Sequence, residues 1–450
     1  MMNTVSKLRT AMVLAVLEAV AGPAAAQSND TNPSDPMLVP PAEAPVVIAS
    51  WEDALARVRT GSPEYASSLK SIDRSRAQAR LALAPLLPTV TGQATYTHAF
   101  NQLQIPLGPT TLSIPPTNDG TVGATVSWTP INPRAYFDWE TSRHAVDVTR
   151  LDTEDKRRQI ATGIVAAMLA TLSGARVSEL NRVGLRAALD RQRLTETRLA
   201  YGQGTQLDVE RAQKDVAAAR HLVVVGDESL RQSREVLAVA LGSREPVAVA
   251  TGLEIEGFER AVASTCKLND ALENRPDVVA ARERVELAQR AVTSAELAPL
   301  PTLGVQAQAS YSTDPTLGPN DSYSFAALLR VPFYDGGVRY GQLRDARAAE
   351  AQARAALEEV RLNAITSSAR TRRAVEVARS DRDVSTTQRN LAAQIDTRTR
   401  DGYRRGLGTS LDLVTSAEQL RSAEISLAVL EFQYAEGRAA AVLESAQCAF

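Results

Sequence analysis

Aromatic residues make up only 4% of this 450-residue chain, and its formal charge is −2. Histidine occurs three times and cysteine twice. Each shortage excludes something. Without a basic excess there is no electrostatic footing for nucleic acid, so no nucleic-acid partner is expected. His98, His144 and His221 stand singly, without metal-ligand spacing, and read as surface or packing residues. The chain has no Gly-x-Ser-x-Gly, no phosphate-cradling loop and no Cys–His pair close in sequence, so neither catalysis nor a cofactor is expected. Gly202-x-Gly204 follows a predicted helix rather than a strand, which removes it as a nucleotide fingerprint. Cys266 and Cys448 are bridgeable in an exported protein; two free or buried thiols are the other reading. Beyond the N-terminal segment, no apolar stretch of about 18 residues is read. A transmembrane helix is therefore not expected, and any membrane crossing must use strands. A conventional core of this size would carry more Phe, Tyr and Trp. The abundance of Ala, Arg, Glu and Gln suits long helices packed closely through small side chains.

The first 26 residues read as an export signal: Lys7 and Arg9, an apolar run over Ala11–Ala21, then Ala24-Ala25-Ala26 at a cleavage site. No cysteine lies near that point to accept a lipid. Residues 27–50 carry Pro33, Pro36, Pro40, Pro41 and Pro45 and read as an extended linker.

The rest is written twice. Gly202, Gly204, Thr205, Leu207 and Asp208 match Gly406, Gly408, Thr409, Leu411 and Asp412. Repeat 1 spans 51–250, a connection spans 251–267, and repeat 2 spans 268–447. Each repeat opens with a helix, Trp51–Ala84 or Leu268–Ala298, interrupted near Pro63 or Pro276. Each helix then meets a proline pair, Pro85/Pro88 or Pro299/Pro301. The period next changes to two. Val90, Ala94 and Tyr96 alternate with Thr91, Gln93 and Thr95; Val122, Ala124, Val126 and Trp128 alternate with Thr121, Thr125 and Ser127. Repeat 2 does the same with Val305, Ala307, Ala309 and Tyr311, then Phe325, Ala327, Leu329 and Val331. These are two strands per repeat, joined by long loops around 101–120 and 312–322. Long helices follow, over 134–201 and 342–401. The second holds neither Gly nor Pro over roughly 60 residues, about 90 Å of helix. Gly202 and Gly406 suit the left-handed residue that ends a helix. Thr205 and Thr409 suit the N-cap of the next, and the aspartate three residues on completes a capping box. The shared phrase is thus a helical hairpin turn, and the returning helices Thr205–Leu241 and Thr409–Ser445 carry coiled-coil-like seams. In the second, that seam is Leu413, Ser416, Leu420, Ala423, Leu427, Leu430, Tyr434, Gly437 and Ala441.

Four strands alone would leave bare edges. An apolar face backed by a Thr/Gln/Ser face fits a transmembrane barrel, with Tyr96, Trp128 and Tyr311 as interfacial aromatics; a soluble sheet buried on helices fits the same pattern. The duplicated APLLP/APLP words, VPFYDGG at 331–337 and the Y-x-x-G-x-x-x-x-L-D turn at Tyr403–Asp412, in order over residues 50–447, resemble the TolC-like outer-membrane efflux family. The resemblance implies a mainly α protein with a small β part. Three chains would share a twelve-stranded outer-membrane barrel and a long periplasmic α-barrel. It implies an exit duct of a tripartite efflux pump, with a type I secretion duct as the alternative. An exported coiled-coil scaffold is the non-channel rival. Implied partners are two further copies, a periplasmic adaptor, an inner-membrane transporter of RND, ABC or MFS type, and outer-membrane lipid. The turns would form the periplasmic tip: Asp208, Asp412 and Tyr403 at the constriction, with Tyr403 bonding Asp208. Gly202, Gly204, Thr205, Gly406, Gly408 and Thr409 would form the turn and meet the adaptor. Two positions depart from the family pattern: Thr415 where a second aspartate is common, and Gly408 where some members carry a locking arginine, a role left to Arg404 or Arg405. Aside from any pore role, both aspartates serve as helix caps.

Overall fold

The computed structural model of this chain describes residues 35–98, 100, 103–107, 109–114, 118–250, 255–268, 272–313, 319–444 and 446–448. The expected export signal and residues 27–34 lie outside them. The remainder of the expected linker is neither free nor wholly extended: Pro36–Leu38 forms a 3-10 turn capped by Asp35. Val46–Ile48 (β1) pairs in parallel with Val247–Val249 (β6). Arg182 donates to the Val39 carbonyl at 3.2 Å, and Arg220 pairs with Asp35 at 2.9 Å.

Helix ends follow local chemistry. Trp51–Gly61 (α1) is capped by Ser50, and Pro63–Leu83 (α2) by Ser62 with Pro63 at its first position. The long helix Pro133–Ala200 (α3) starts under an Asn132 cap, and Gln206–Leu241 (α4) returns beside it. Val338–Arg404 (α7) follows Gly336 and Gly337, both at positive φ, and Ser410–Glu444 (α8) returns. Repeat 2 opens differently from expectation. Its first helix, Pro276–Leu297 (α6), begins at the proline; Cys266–Leu268 (β7) and a short 3-10 turn at Leu272–Asn274 occupy the stretch expected as helix. Proline lacks the N–H an interior position needs, so it starts the helix rather than interrupting it. The connection also holds a helix, Ile255–Thr265 (α5). Cys266 and Cys448 form a disulfide, joining β7 to Ala446–Cys448 (β10).

Four strands form one antiparallel sheet in the order β2 (Thr89–His98), β5 (Asn118–Ile131), β8 (Thr302–Ser312), β9 (Asp321–Arg330). Inside the first expected loop lies a further hairpin, β3 (Leu103–Leu107) with β4 (Thr110–Ile114). The sheet register puts like with like. Val90, Val126, Ala307 and Phe325 stand opposite one another across all four strands; Thr91, Thr125, Gln308 and Ser324 do so on the other face. Helices do not cover the apolar face: Val90 is 71% exposed, Val122 61% and Phe325 74%. That removes the reading of a soluble sheet buried on helices.

The main core lies at a belt partway along the helices. Trp51, Leu55 and Val58 of α1 meet Ile164, Met168 and Leu169 of α3 there, with Leu237 of α4, Phe258 of α5 and Leu443 of α8. Trp51 stacks edge-on against Phe258 and donates its indole N–H to Thr265. An 18-residue window of α3 is apolar enough to cross a membrane by composition, contrary to the sequence expectation, but half of it is buried inside the chain. The seam expected on α8 also needs correcting. Ala428, Ala435, Ala439 and Leu443 are its most buried residues beyond Ala423, whereas Leu427, Tyr434 and Gly437 are half-buried. The helix is packed on two sides, by α7 and by α3 with α5, so its deepest line runs between the two contacts.

Candidate functional site

The two hairpin turns lie together at one end of the helices. Each is built the same way. Gly202 and Gly406 have φ of +70° and +78°, a region open to glycine and strained for other residues. Gln203 N–H donates back to the Arg198 carbonyl at 2.8 Å, and Leu407 N–H to that of Gly402 at 2.9 Å, closing helix ends of the Schellman type. Thr205 then caps α4: its hydroxyl accepts from Asp208 N–H, and Asp208 accepts from Thr205 N–H at 3.0 Å. Thr409 and Asp412 repeat this at 3.2 Å in both directions.

The turns are joined by residues that differ between them. Arg198, in the last turn of α3, reaches the Tyr403 carbonyl at 2.6 Å and lies 4.4 Å from the centre of its ring. Tyr403 is buried beneath it. In return, Ser410 of the second turn hydrogen-bonds Asp208 of the first. Arg211 supports this pair from 3.4 Å to Ser410 and 3.9 Å to Asp208. The Tyr403–Asp208 bond that the resemblance implies is replaced: Asp208 is bonded by Ser410 and Tyr403 is held by Arg198. Arg404 faces Asp401 at 4.0 Å and is largely exposed, so the cation on Tyr403 comes from the other repeat.

These bonds set the charges. The Ser410 hydroxyl holds Asp208 below the usual carboxylate range against partial burial, with Thr205 and Arg211 adding to the effect. Asp412 is held low by the Thr409 hydroxyl and N–H alone and stays open to solvent. Burial pushes the Tyr403 phenol up; Arg198 opposes this and Asp208 reinforces it. Both carboxylates are therefore anionic at neutral pH, and Tyr403 is neutral. Around the turns, Tyr201, Leu207, Leu407 and Leu411 are exposed by 77%, 52%, 83% and 53%. Gly204 and Gly408 pack close to the ends of the preceding helices.

Two turns further from the tip, a buried ion network crosses the hairpins. Arg191 of α3 donates twice to Asp215 of α4, at 3.0 and 2.6 Å, and Arg421 of α8 approaches the same carboxylate at 3.7 Å. Gly184 makes room for this: a Cβ there would meet Arg421 at 2.6 Å. Sequence reasoning missed Arg198, Ser410, Arg211 and this network. One signal was present. At the matching places the other repeat carries Gly402, Gln206, Thr415, and Gln419 for Asp215. The contacts between repeats sit where the repeat breaks.

The sequence matches the family described as outer membrane efflux protein over residues 54–243 and 268–442, which takes in both repeats. The pyoverdine export outer membrane protein OpmQ of Pseudomonas putida is 26% identical over 307 residues, 65% of this chain and 63% of that protein. The match thus spans less than two thirds of that relative's length. Among solved structures, the Campylobacter jejuni CmeC outer membrane channel aligns with a TM-score of 0.74 at 13% identity, covering 88% of this chain and 85% of its own. VceC of Vibrio cholerae aligns at 0.70 with 18% identity, covering 88% and 96%. The likeness to both structures is one of fold: paired helical hairpins beneath a small sheet. With its profile matched on both sides of the connecting segment, the chain belongs to the outer membrane efflux protein family, and its place is the outer membrane.

Proposed function

We propose that three copies of this chain form a passive exit duct of a tripartite efflux pump. The strands would close a twelve-stranded barrel, and the helices would run on into the periplasm. The observation that carries this reading is the sheet with an uncovered apolar face, a mainly polar opposite face and, among the described residues, no strand paired beyond β2 or β9. Closing such a sheet with copies of itself removes the edges, turns the apolar face to lipid and leaves Thr, Gln and Ser in the lumen. The similarity to a pyoverdine exporter favours small-molecule cargo. The hairpin turns serve as the narrow periplasmic end, where Asp208 and Asp412 would line the constriction and the buried Tyr403 would brace it from behind. Gly202, Gly204, Thr205, Gly406, Gly408 and Thr409 shape the tip, and the exposed Tyr201, Leu207, Leu407 and Leu411 beside them give an adaptor an apolar surface. An inner-membrane transporter supplies the energy; the duct supplies a path.

Threefold symmetry would repeat Asp412 around one axis. An anionic ring concentrates cations, so the open pore should prefer them. Single-channel recording in a planar bilayer tests this. Discrete cation-preferring steps are expected, with the preference weakened in Asp412→Asn. A protein that stays monomeric and never enters the bilayer sinks the duct; a pore with unchanged selectivity in Asp412→Asn sinks only the role of the ring.

A further inference from the structure

His144 stands alone in the sequence, but the fold supplies it with two carboxylates. It lies about three turns into α3, on the face that meets α6. Glu283 and Glu286 lie one turn apart on α6, and the ligand atoms of all three side chains are within 4.8 Å of one another. Histidine Nε2 is 3.1 Å from Glu286 Oε1 and 3.9 Å from Glu283 Oε2. Glu283 makes no hydrogen bond among the described residues, and His144 is its one ion-pairing neighbour. The side chains of His144 and Glu283 are 25% and 27% exposed, so solvent reaches the group without flooding it.

We propose that His144, Glu283 and Glu286 bind a divalent transition-metal cation of the zinc type, tying repeat 1 to repeat 2 beneath the sheet. One imidazole and two carboxylates form a donor set that zinc accepts, leaving a fourth position for water. Tetrahedral zinc holds its ligand atoms about 3.4 Å apart, given bonds of roughly 2.0–2.2 Å. The two His–Glu distances bracket that value and the two carboxylates lie within 4.8 Å, so the site asks for an adjustment of side chains of about an ångström. The two carboxylates also balance the charge of the ion.

The surroundings set the strength. Arg290 places Nε and Nη2 each 3.4 Å from Glu286 Oε1, where they compete with a metal. Its Nη1 is already 3.7 Å from Glu140, which gives the guanidinium somewhere to go. Histidine Nδ1 is buried without an acceptor, so the ring lacks the outer hydrogen bond that strengthens histidine ligands. Weaker binding than that of a closed structural site follows, by about 10–100-fold for the missing outer hydrogen bond alone. Magnesium, which favours oxygen ligands and retains its waters, is a poor match.

The test is isothermal titration of zinc into tag-free full-length protein in detergent, stripped beforehand with chelator. One ion per chain is expected, unaffected by millimolar magnesium. His144→Gln and Glu283→Gln should each weaken binding at least tenfold while leaving the helical circular-dichroism spectrum intact. Glu283→Gln guards against misfolding of the histidine variant, because Glu283 makes no structural hydrogen bond. No zinc binding, or binding that survives Glu283→Gln in a folded protein, overturns the proposal.

Discussion

α3 and α7 have nearly the same length, 68 and 67 residues, and the same place in their repeats, yet their burial differs sharply. Nineteen residues of α3 are buried, against four of α7: Ala364, Ser385, Asp396 and Tyr403. The reason is position. α3 packs against α2, α4, α6 and α8, whereas α7 packs chiefly against α6 and α8. The copies share a sequence plan but not an environment. One is the centre of the chain; the other is its edge, with Val377, Val384, Leu391 and Ile395 turned outward at 51–68% exposure. Seven-residue spacing from 377 to 391 makes this a stripe along one helix face. The two repeats build helices of one shape, and under the proposed trimer the exposed stripe on α7 is the face expected to meet a neighbouring copy.

The sharpest way to break the comparison is at Asp215, whose side chain is wholly buried between Arg191 and Arg421. Asp215→Ala leaves two guanidinium groups in the interior and should cost about 3–5 kcal/mol. The matching residue of repeat 2, Gln419, is exposed, and Gln419→Ala should fall within about 0.5 kcal/mol. Thermal midpoints of the two variants in detergent decide it. Equal shifts would mean that the repeats carry stability alike and that burial in a single chain misleads.

Much of this organisation was legible in the sequence because it is local. Prolines, capping boxes and the change of period from 3.6 to 2 act within a few residues, so the long helices, the turns and the four sheet strands could be read directly. What stayed hidden depends on distance along the chain. Arg198 meets Tyr403 across 205 residues, and Ser410 meets Asp208 across 202. Their only local trace is the break in the repeat, with Gly402 and Gln206 at the matching positions, and a mismatch marks a position without naming its partner. The β3–β4 hairpin was missed for another reason: Pro106 sits within it, and proline argues against a strand unless the strand is at an edge. The docking of residues 35–50 was equally unreadable, because a proline-rich segment has the same sequence signature whether free or pinned. His144 could be seen, but its carboxylates could not, since only the packing of α3 on α6 brings them together.

The stripe on α7 gives the second break. If three copies associate through it, Val384→Asp should convert the trimer to monomer in size-exclusion chromatography with light scattering. A buried valine is worth about 1.5–3 kcal/mol at each interface, and a charge in its place costs more. Helical content should not change, because Val384 is 68% exposed in the single chain. A trimer that survives the substitution would place the contact elsewhere and leave the exposure of α7 unexplained.

The smallest effects compare the two caps. Thr205→Ala and Thr409→Ala each remove one N-cap hydroxyl, worth about 1 kcal/mol. Their difference carries the information. Asp412 depends on Thr409 alone, whereas Asp208 is also bonded by Ser410 and therefore ties one hairpin to the other. Asp208→Asn should then lower the thermal midpoint more than Asp412→Asn at neutral pH. The sign with acid follows from the depressed folded pKa of each carboxylate. Their contribution is fully present above the ordinary carboxylate value, about 3.9, and is lost as pH falls through the lower folded value. The gap between Asp208→Asn and the unsubstituted protein should therefore narrow as pH falls below about 4, and that between Asp412→Asn and the same reference should narrow from a smaller start. A gap for Asp208 that stays constant down to pH 2 would mean that its charge does nothing for the link, and that shape alone holds the two turns together.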